Sequence, residues 1–401
     1  MNILLISDVY FPRVNGVSTS IRTFTEQLQK LGHTVHLIAP DYGIKTEDEV
    51  WITRVPARSI YFDPEDKLMK YGEIMRLIPM LMRKKFDLVH IHTPFIAHFA
   101  GLKIAKKLGL PVLETYHTFF EDYLHHYLPI IPKGMAKNLA RFISKKQCNQ
   151  LDAIIAPSKP MLDVLREYGV TAPAEVIATG LQASSFAEAD GDAFRQKYNI
   201  PLSKQMLLYV GRVAHEKNIG FLIKMLKQLV QQQSEALLVI TGEGPAEASL
   251  HALVNILGLE KNVQFIGYLD RNTELNACYK AADIFVFASK SETQGLVLLE
   301  AMAQGTPVVA IAELGTASIM VEGQGAHIAI EDEKQFSQRV IELLMNPMAL
   351  NILGDVGKSY ALQHWSASAK ADQMLNFYRT VQAGYHLEKY QQTSKLAQFK
   401  H

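Results

Sequence analysis

The stretch Asp283–Ile311, DIFVFASKSETQGLVLLEAMAQGTPVVAI, sets the reading of the chain. It opens on the apolar run DIFVFAS, passes Gly295 into LVLLEAMA, and ends on a second apolar run, TPVVAI. Continuous apolar runs mark strands covered on both faces, and a helix between two of them is a βαβ unit of a parallel sheet. Two acids, Glu292 and Glu300, stand in this apolar setting with seven residues between them. Desolvating an unpaired carboxylate is costly, so both are candidates to hold a ligand. Glu292 precedes the helix and Glu300 lies about two turns inside it, which suits two contacts on one long molecule rather than one acid–base couple. The plainer alternative is a capping acid followed by a solvated helical one.

The same pattern recurs on both sides. NILLIS, HTVHLIAP, LVHIH, PVLETYH and AIIAPS occupy the first half, and MLLYVGR, ALLVITGEG and VQFIGY precede the opening stretch in the second. At 401 residues the chain exceeds the ~250–300 at which a single core divides. Two Rossmann-like domains are therefore expected, with the polar segment Gln182–Pro201 as linker. The boundaries are read as 1–185, 186–375 and a C-terminal tail 376–401 that packs back on the first domain. Asp190 and Asp192 in the linker have the form of a metal-holding DxD pair, although a solvated turn is the simpler reading.

Composition is that of an ordinary globular protein, 48% hydrophobic and 20% charged, with a net charge of +1 that argues against a nucleic-acid partner. Cys148 and Cys278 are far apart, as in a reducing compartment. The first apolar run is too short for a secretory signal and reaches Asp8 at once, so it reads as a strand and the protein is expected in the cytoplasm.

Several features suit a phosphate-bearing ligand. Asn15-Gly16 opens a helix whose amides are read as free near Ser18, an anion site or a simple capped turn. Gly211-Arg212 ends a strand and Lys217 follows, so an Arg and a Lys can clamp a diphosphate. Gly295 and Leu296 offer backbone at the start of the helix in the opening stretch. His117, Glu121 and His125 recur at four-residue spacing, which leaves open a metal site, a polar pocket or a structural histidine. His117 directly follows a strand and so belongs to a loop.

The first half also carries a basic stripe. Lys133, Lys137, Arg141 and Lys145 recur every four residues between Met135, Leu139, Phe142 and Ile143, the pattern of an interfacial helix on anionic lipid. Arg83, Lys84 and Lys85 add to it, and nine basic residues oppose two acidic ones from Lys67 to Lys107. A solvated face over a core helix is the alternative.

With these residues in view, the chain resembles the retaining GT-B glycosyltransferases of family 4. The resemblance rests on the N-terminal Gly16-Val17 loop, GRVAHEKN, TGEGP, VQFIGY and above all SETQGLVLLEAMAQGTPVVA, a Glu, seven residues, Glu signature. It implies an α/β fold of two Rossmann-like domains with parallel sheets facing across a cleft. It further implies a nucleotide sugar as co-substrate with no metal or other cofactor required. Arg212 and Lys217 would hold the diphosphate, helped by the amides of Gly295 and Leu296. Glu300 would take the ribose, Glu292 the transferred sugar, and backbone near Ile266 to Tyr268 the base. YHTFFEDYLHHYLP together with SETQGLVLLE resembles the bacterial diacylglycerol glycosyltransferases, and His117 then matches the histidine on the sugar side. That likeness implies UDP-glucose first, with UDP-galactose and GDP-mannose behind it. It also implies a lipid acceptor, contact with anionic phospholipid, and a peripheral position on the inner face of the cytoplasmic membrane. Transfer to a polysaccharide precursor, lipopolysaccharide core or soluble acceptor is the alternative. Many family members have Gly-Gly where this chain has Asn15-Gly16.

Overall fold

A computed structural model describes residues 1–13, 15–43, 50–60, 63–117, 133–270, 273–290, 292, 294–313 and 315–398. The chain forms two compact units, Met1–Thr179 with Lys370–His401, and Gly180–Ala369. It passes between them at Thr179/Gly180 and Ala369/Lys370, where the sequence reading placed its boundaries at 185 and 375.

Among the described residues, the first unit carries an eight-stranded sheet. Its strands are β1 (Asn2–Ile6), β2 (Thr34–Asp41), β3 (Ile52–Ile60), β4 (Asp63–Met69), β5 (Leu88–Ile91), β6 (Val112–Thr115), β7 (Ala153–Ala156) and β8 (Ala174–Val176). Their order is β4-β3-β2-β1-β5-β6-β7-β8, parallel throughout except for the antiparallel pair β3–β4. The run NILLI shows why these strands are apolar at every position. Ile3 and Leu5 pack into one buried cluster and Leu4 and Ile6 into the other, so neither face is left for water. The first cluster is completed from the far end of the chain. Ala371, Met374, Leu375 and Tyr378, on the helix Ala367–Gln398, are buried in it beside Ile3, Leu5 and Leu37.

The second unit has a six-stranded parallel sheet of β9 (Gln205–Val210), β10 (Ala236–Thr241), β11 (Val263–Gly267), β12 (Ile284–Phe287), β13 (Val308–Ile311) and β14 (Ala326–Ala329). The order β11-β10-β9-β12-β13-β14 is the doubly wound arrangement, and its switch point lies between β9 and β12. Both α/β units agree with the fold class read from sequence.

The segment Gln182–Pro201 is not a loose connection. It belongs to the second unit and contains the helix Gly191–Lys197, where Phe194 and Arg195 are buried. The Arg195 guanidinium donates to the carbonyls of Ala281 and Lys204 and pairs with Asp283 at 2.9 Å. A short helix buries too few side chains to show an apolar period, so polarity was mistaken for freedom. Asp190 is its N-cap, accepting from the amide of Ala193 at 2.9 Å, which gives this aspartate a structural task.

Candidate active site

At the switch point of the second sheet the loops after β9 and β12 meet. Gly211 and Arg212 follow β9, and a 3-10 turn, His215–Lys217, brings Lys217 back toward the opposite loop. There Lys217 Nζ donates to Glu292 Oε2 at 2.8 Å, with both side chains mostly covered. These residues, with Tyr209, Phe287, Glu216 and Val297, line a cavity of about 360 Å³. Arg212 is more open and stands 4.0 Å from Glu216, a weak exposed contact.

Close backbone approach builds the floor of this region. A side chain at Gly242, after β10, would put its Cβ 2.0 Å from the Gly211 carbonyl oxygen, so only glycine lets the two loops touch. Gly267 binds them to β11, its carbonyl accepting from the Gly242 amide and the Thr241 hydroxyl, both at 2.8 Å. Ile266 is half-buried there and Tyr268 is exposed, the two flanking Gly267.

Gly295, with φ +67°, is the N-cap of the helix Leu296–Ala303 and supplies no side-chain cap. The left-handed backbone turns the loop into the helix, and the carbonyl of Glu292 is pinned by the Gly315 amide at 2.8 Å. Glu300 is on the same helix but is buried, and the Tyr279 hydroxyl donates to its Oε2 at 2.9 Å. The two acids of the signature therefore differ in kind: Glu292 lines the cavity beside a lysine, whereas Glu300 is held by a buried tyrosine.

A second network lies behind Lys217. Glu331 accepts from Asn218 Nδ2 at 2.9 Å and pairs with Lys290, which ties the loop after β9 to the loop after β12. Sequence reading missed Asn218, Glu331 and Tyr279, since an ordinary surface polar residue and a buried tyrosine carry no local signal of a partner 21 to 113 positions away.

In the other unit, Asn15 and Gly16 begin the helix Gly16–Lys30. The amide of Ser18 is not free, because it donates to Asn15 Oδ1 at 2.8 Å. Asparagine is a strong N-cap, and here it occupies the amide that was read as open to an anion. Gly16 itself is exposed, with open space where a Cβ would stand.

His117 follows β6 and is half-buried, its Nε2 3.3 Å from His92 Nδ1. Burial pulls its pKa down to about 4, so the ring is neutral at pH 7. Glu121 and His125 lie outside the described residues. Among the described residues no group of three or more His, Cys, Asp or Glu is placed to hold a metal ion.

The basic stripe falls on the helix Lys133–Cys148, where the side chains of Lys133 and Lys137 lie outside the described residues. Ala140, Ser144 and Cys148 form its buried edge, while Leu139, Phe142 and Lys145 are exposed. Arg141 is not wholly committed to solvent, since its guanidinium sits 5.2 Å from the Tyr168 ring. Arg83 ends the helix Ile78–Arg83, and Arg83, Lys84 and Lys85 are exposed beside Met82. No single helix among the described residues is long and apolar enough to cross a membrane.

Comparison with known proteins matches residues 14–184 to the family described as Glycosyltransferase Family 4 and residues 190–384 to Glycosyl transferases group 1. The chain belongs to the GT-B glycosyltransferases of family 4. It is an enzyme, a hexosyltransferase. This family 4 chain is 33% identical over 318 residues to an alpha-monoglucosyldiacylglycerol synthase of Streptococcus pneumoniae, covering 77% of this chain and 71% of that one. It is 28% identical over 371 residues to the protein of that name from Acholeplasma laidlawii, covering 90% and 91%. Its fold is shared with Anabaena Alr3699/HepE, solved in complex with UDP, at a TM-score of 0.71 and 15% identity over 95% of this chain and 100% of the other.

Proposed function

We propose that this enzyme moves a hexose, from UDP-glucose first, to a lipid acceptor such as diacylglycerol at a membrane surface, with retention at the anomeric carbon. The observation that carries the donor half is the Lys217–Glu292 pair at 2.8 Å in a cavity that Arg212 also lines. A nucleotide sugar offers each of these groups a partner. Its diphosphate takes Lys217 and Arg212, its sugar hydroxyls take Glu292, and the ribose takes Glu300 once Tyr279 shares it. Gly211, Gly295 and Leu296 give backbone to the phosphates, and Ile266 and Tyr268 flank the base. Gly16, at the start of its helix, is assigned to the donor as well, by the resemblance alone.

In the reaction the bond from the anomeric carbon to the diphosphate oxygen breaks, and the acceptor hydroxyl oxygen bonds to the same face. Its proton passes to the departing phosphate oxygen. Charge grows on that oxygen in the transition state, where Arg212 and Lys217 are already in position, and such preorganised cations are usually the largest catalytic contribution. The scheme asks for no metal. Neutral His117 orients a sugar hydroxyl.

Similarity to two alpha-monoglucosyldiacylglycerol synthases supports the lipid acceptor. So do two exposed patches, one with Phe142 and Leu139 near Lys145 on the helix Lys133–Cys148, the other with Met82 beside Arg83, Lys84 and Lys85. Arg141 lies on the same helix as Phe142, Lys133 and Lys137 belong to its basic stripe by sequence, and the enzyme then works peripherally on the cytoplasmic face. The hold of Tyr168 on Arg141 favours a second reading, in which the helix is a structural face and the acceptor is a polysaccharide precursor or a soluble molecule.

One assay decides between these: labelled UDP-glucose, GDP-mannose and ADP-glucose with diacylglycerol in anionic vesicles, read together with vesicle flotation. Glucosyl-diacylglycerol of α configuration and flotation at low salt are expected. Transfer only to a water-soluble acceptor, with no flotation, would refute the lipid reading.

A further inference from the structure

The strand ends of the first sheet hold a column of histidines. His90, in β5, is fully buried, its Nδ1 2.6 Å from the Tyr378 hydroxyl and its Nε2 2.7 Å from Thr115 Oγ1. The ring of His92 stands 4.1 Å from that of His90, and His92 is 2% exposed. Beyond it His117 lies with its ring 20° from parallel, joined to His92 through the 3.3 Å Nδ1 to Nε2 contact. His92 Nε2 is buried and finds no partner among the described residues, and neither does Nδ1 of His117.

Burial keeps all three rings neutral: His90 is pulled to about 3, His117 to about 4, and His92 well below the ordinary histidine range. A neutral imidazole has one donor nitrogen and one acceptor nitrogen. If His117 donated from Nε2, His92 would have to carry its own proton on Nε2, leaving a buried N–H with no acceptor. If His92 donates from Nδ1, its buried Nε2 is only an unpaired lone pair, and the proton of His117 sits on Nδ1 of that half-buried ring, which is not closed off as His92 Nε2 is. Orphaned buried donors are the rarer case, so the second arrangement wins.

We infer that His92 is a positioning residue for glycosyl transfer: its Nδ1–H bonds Nε2 of His117 and so locks His117 as the Nδ1–H tautomer, a donor toward a sugar hydroxyl oxygen. The inference rests on the reading of His117 as a sugar-side group. His92 touches no substrate in this scheme; it decides which nitrogen of its neighbour carries the proton. Without that bond His117 samples both tautomers, and in one of them it offers the sugar a lone pair where a donor is needed.

The test is ring-nitrogen correlation NMR on the full-length protein labelled with 15N-histidine, assigned with His117→Gln and His92→Leu. His117 should show a protonated Nδ1 and a bare Nε2 throughout pH 6 to 8. In His92→Leu the tautomers should mix and kcat should fall roughly tenfold to a hundredfold with the donor KM unchanged, the scale of a misoriented catalytic group. His92→Asn, whose side-chain amide returns a donor near the Nδ1 position, should restore most of the rate and the tautomer. A protonated Nε2 on wild-type His117 overturns the inference even if His92→Leu does not fold, as does His92→Asn behaving no better than His92→Leu. His117→Ala with full turnover overturns instead the sugar-side role of His117, whatever its tautomer.

Discussion

Both sheets of this enzyme gather polar side chains where the strand order reverses, but they treat charge in opposite ways. Between β1 and β5 the Asp8 carboxyl accepts from Thr93 and from the Ala97 amide, and burial pushes its pKa up to about 7. Burial likewise disfavours the charged form of His90 and His117 in the same unit, which are neutral at pH 7. Between β9 and β12, Lys217 and Glu292 instead form an ion pair on loops beyond the strands, where water still reaches both. The same architecture thus supplies a neutral hydrogen-bonding wall in one unit and an ionic one in the other. Solvent access makes the difference: Asp8 is 5% exposed, whereas the Lys217 and Glu292 side chains are 18% and 26% exposed and keep part of their hydration.

The comparison breaks most sharply if the ionic wall is dispensable. Lys217→Ala or Arg212→Ala should lower kcat about 10²–10³-fold, the scale of removing one preorganised transition-state donor, while the unfolding midpoint stays near that of the parent. Steady-state kinetics with a folded control decide it, and a loss of only a few fold would move the electrostatic work elsewhere.

The neutral wall is tested through pH. Asp8 has a folded pKa near 7 against 3.8 for the free side chain. Below 3.8 the carboxyl is protonated in both states and costs nothing; between 3.8 and about 7 only the unfolded chain ionises, so this group's contribution falls as pH rises. Asp8→Asn should therefore gain stability relative to the parent between pH 4 and pH 7, by on the order of 4 kcal/mol. Denaturant titrations at several pH values check this, and parallel curves would show that Asp8 is not held neutral.

The smallest effect belongs to Asp190. Asp190→Ala should cost about 1 kcal/mol through the lost N-cap and leave donor affinity and the response to divalent cations unchanged. A large change in kcat would restore the DxD reading.

Much of this was legible in the chain itself, for identifiable reasons. Runs such as IFVF are buried at every position, so the central parallel strands announced themselves. The hairpin of β3 and β4 did not, because DPEDKLM is the polar edge of the sheet and ITRVPARSI contains a proline at a strand that pairs in both senses. The residues of the cavity stood out as charges at strand ends. Their pairing did not, since Lys217 and Glu292 are 75 positions apart and were read as serving different parts of a ligand. His92 went unread because a histidine inside the run LVHIH looks like core; only its neighbour across the sheet shows what its nitrogen faces.

The burial of Tyr378 among Ile3, Leu5 and Leu37 has a consequence for how the protein is made. Residues 180–369 are contiguous and can close their core while the ribosome is still adding the last helix. Residues 1–179 leave the ribosome first but hold one sheet face only partly covered, by Ile21, Phe24 and Leu28, until Ala371, Met374, Leu375 and Tyr378 arrive. The unit begun first is finished last.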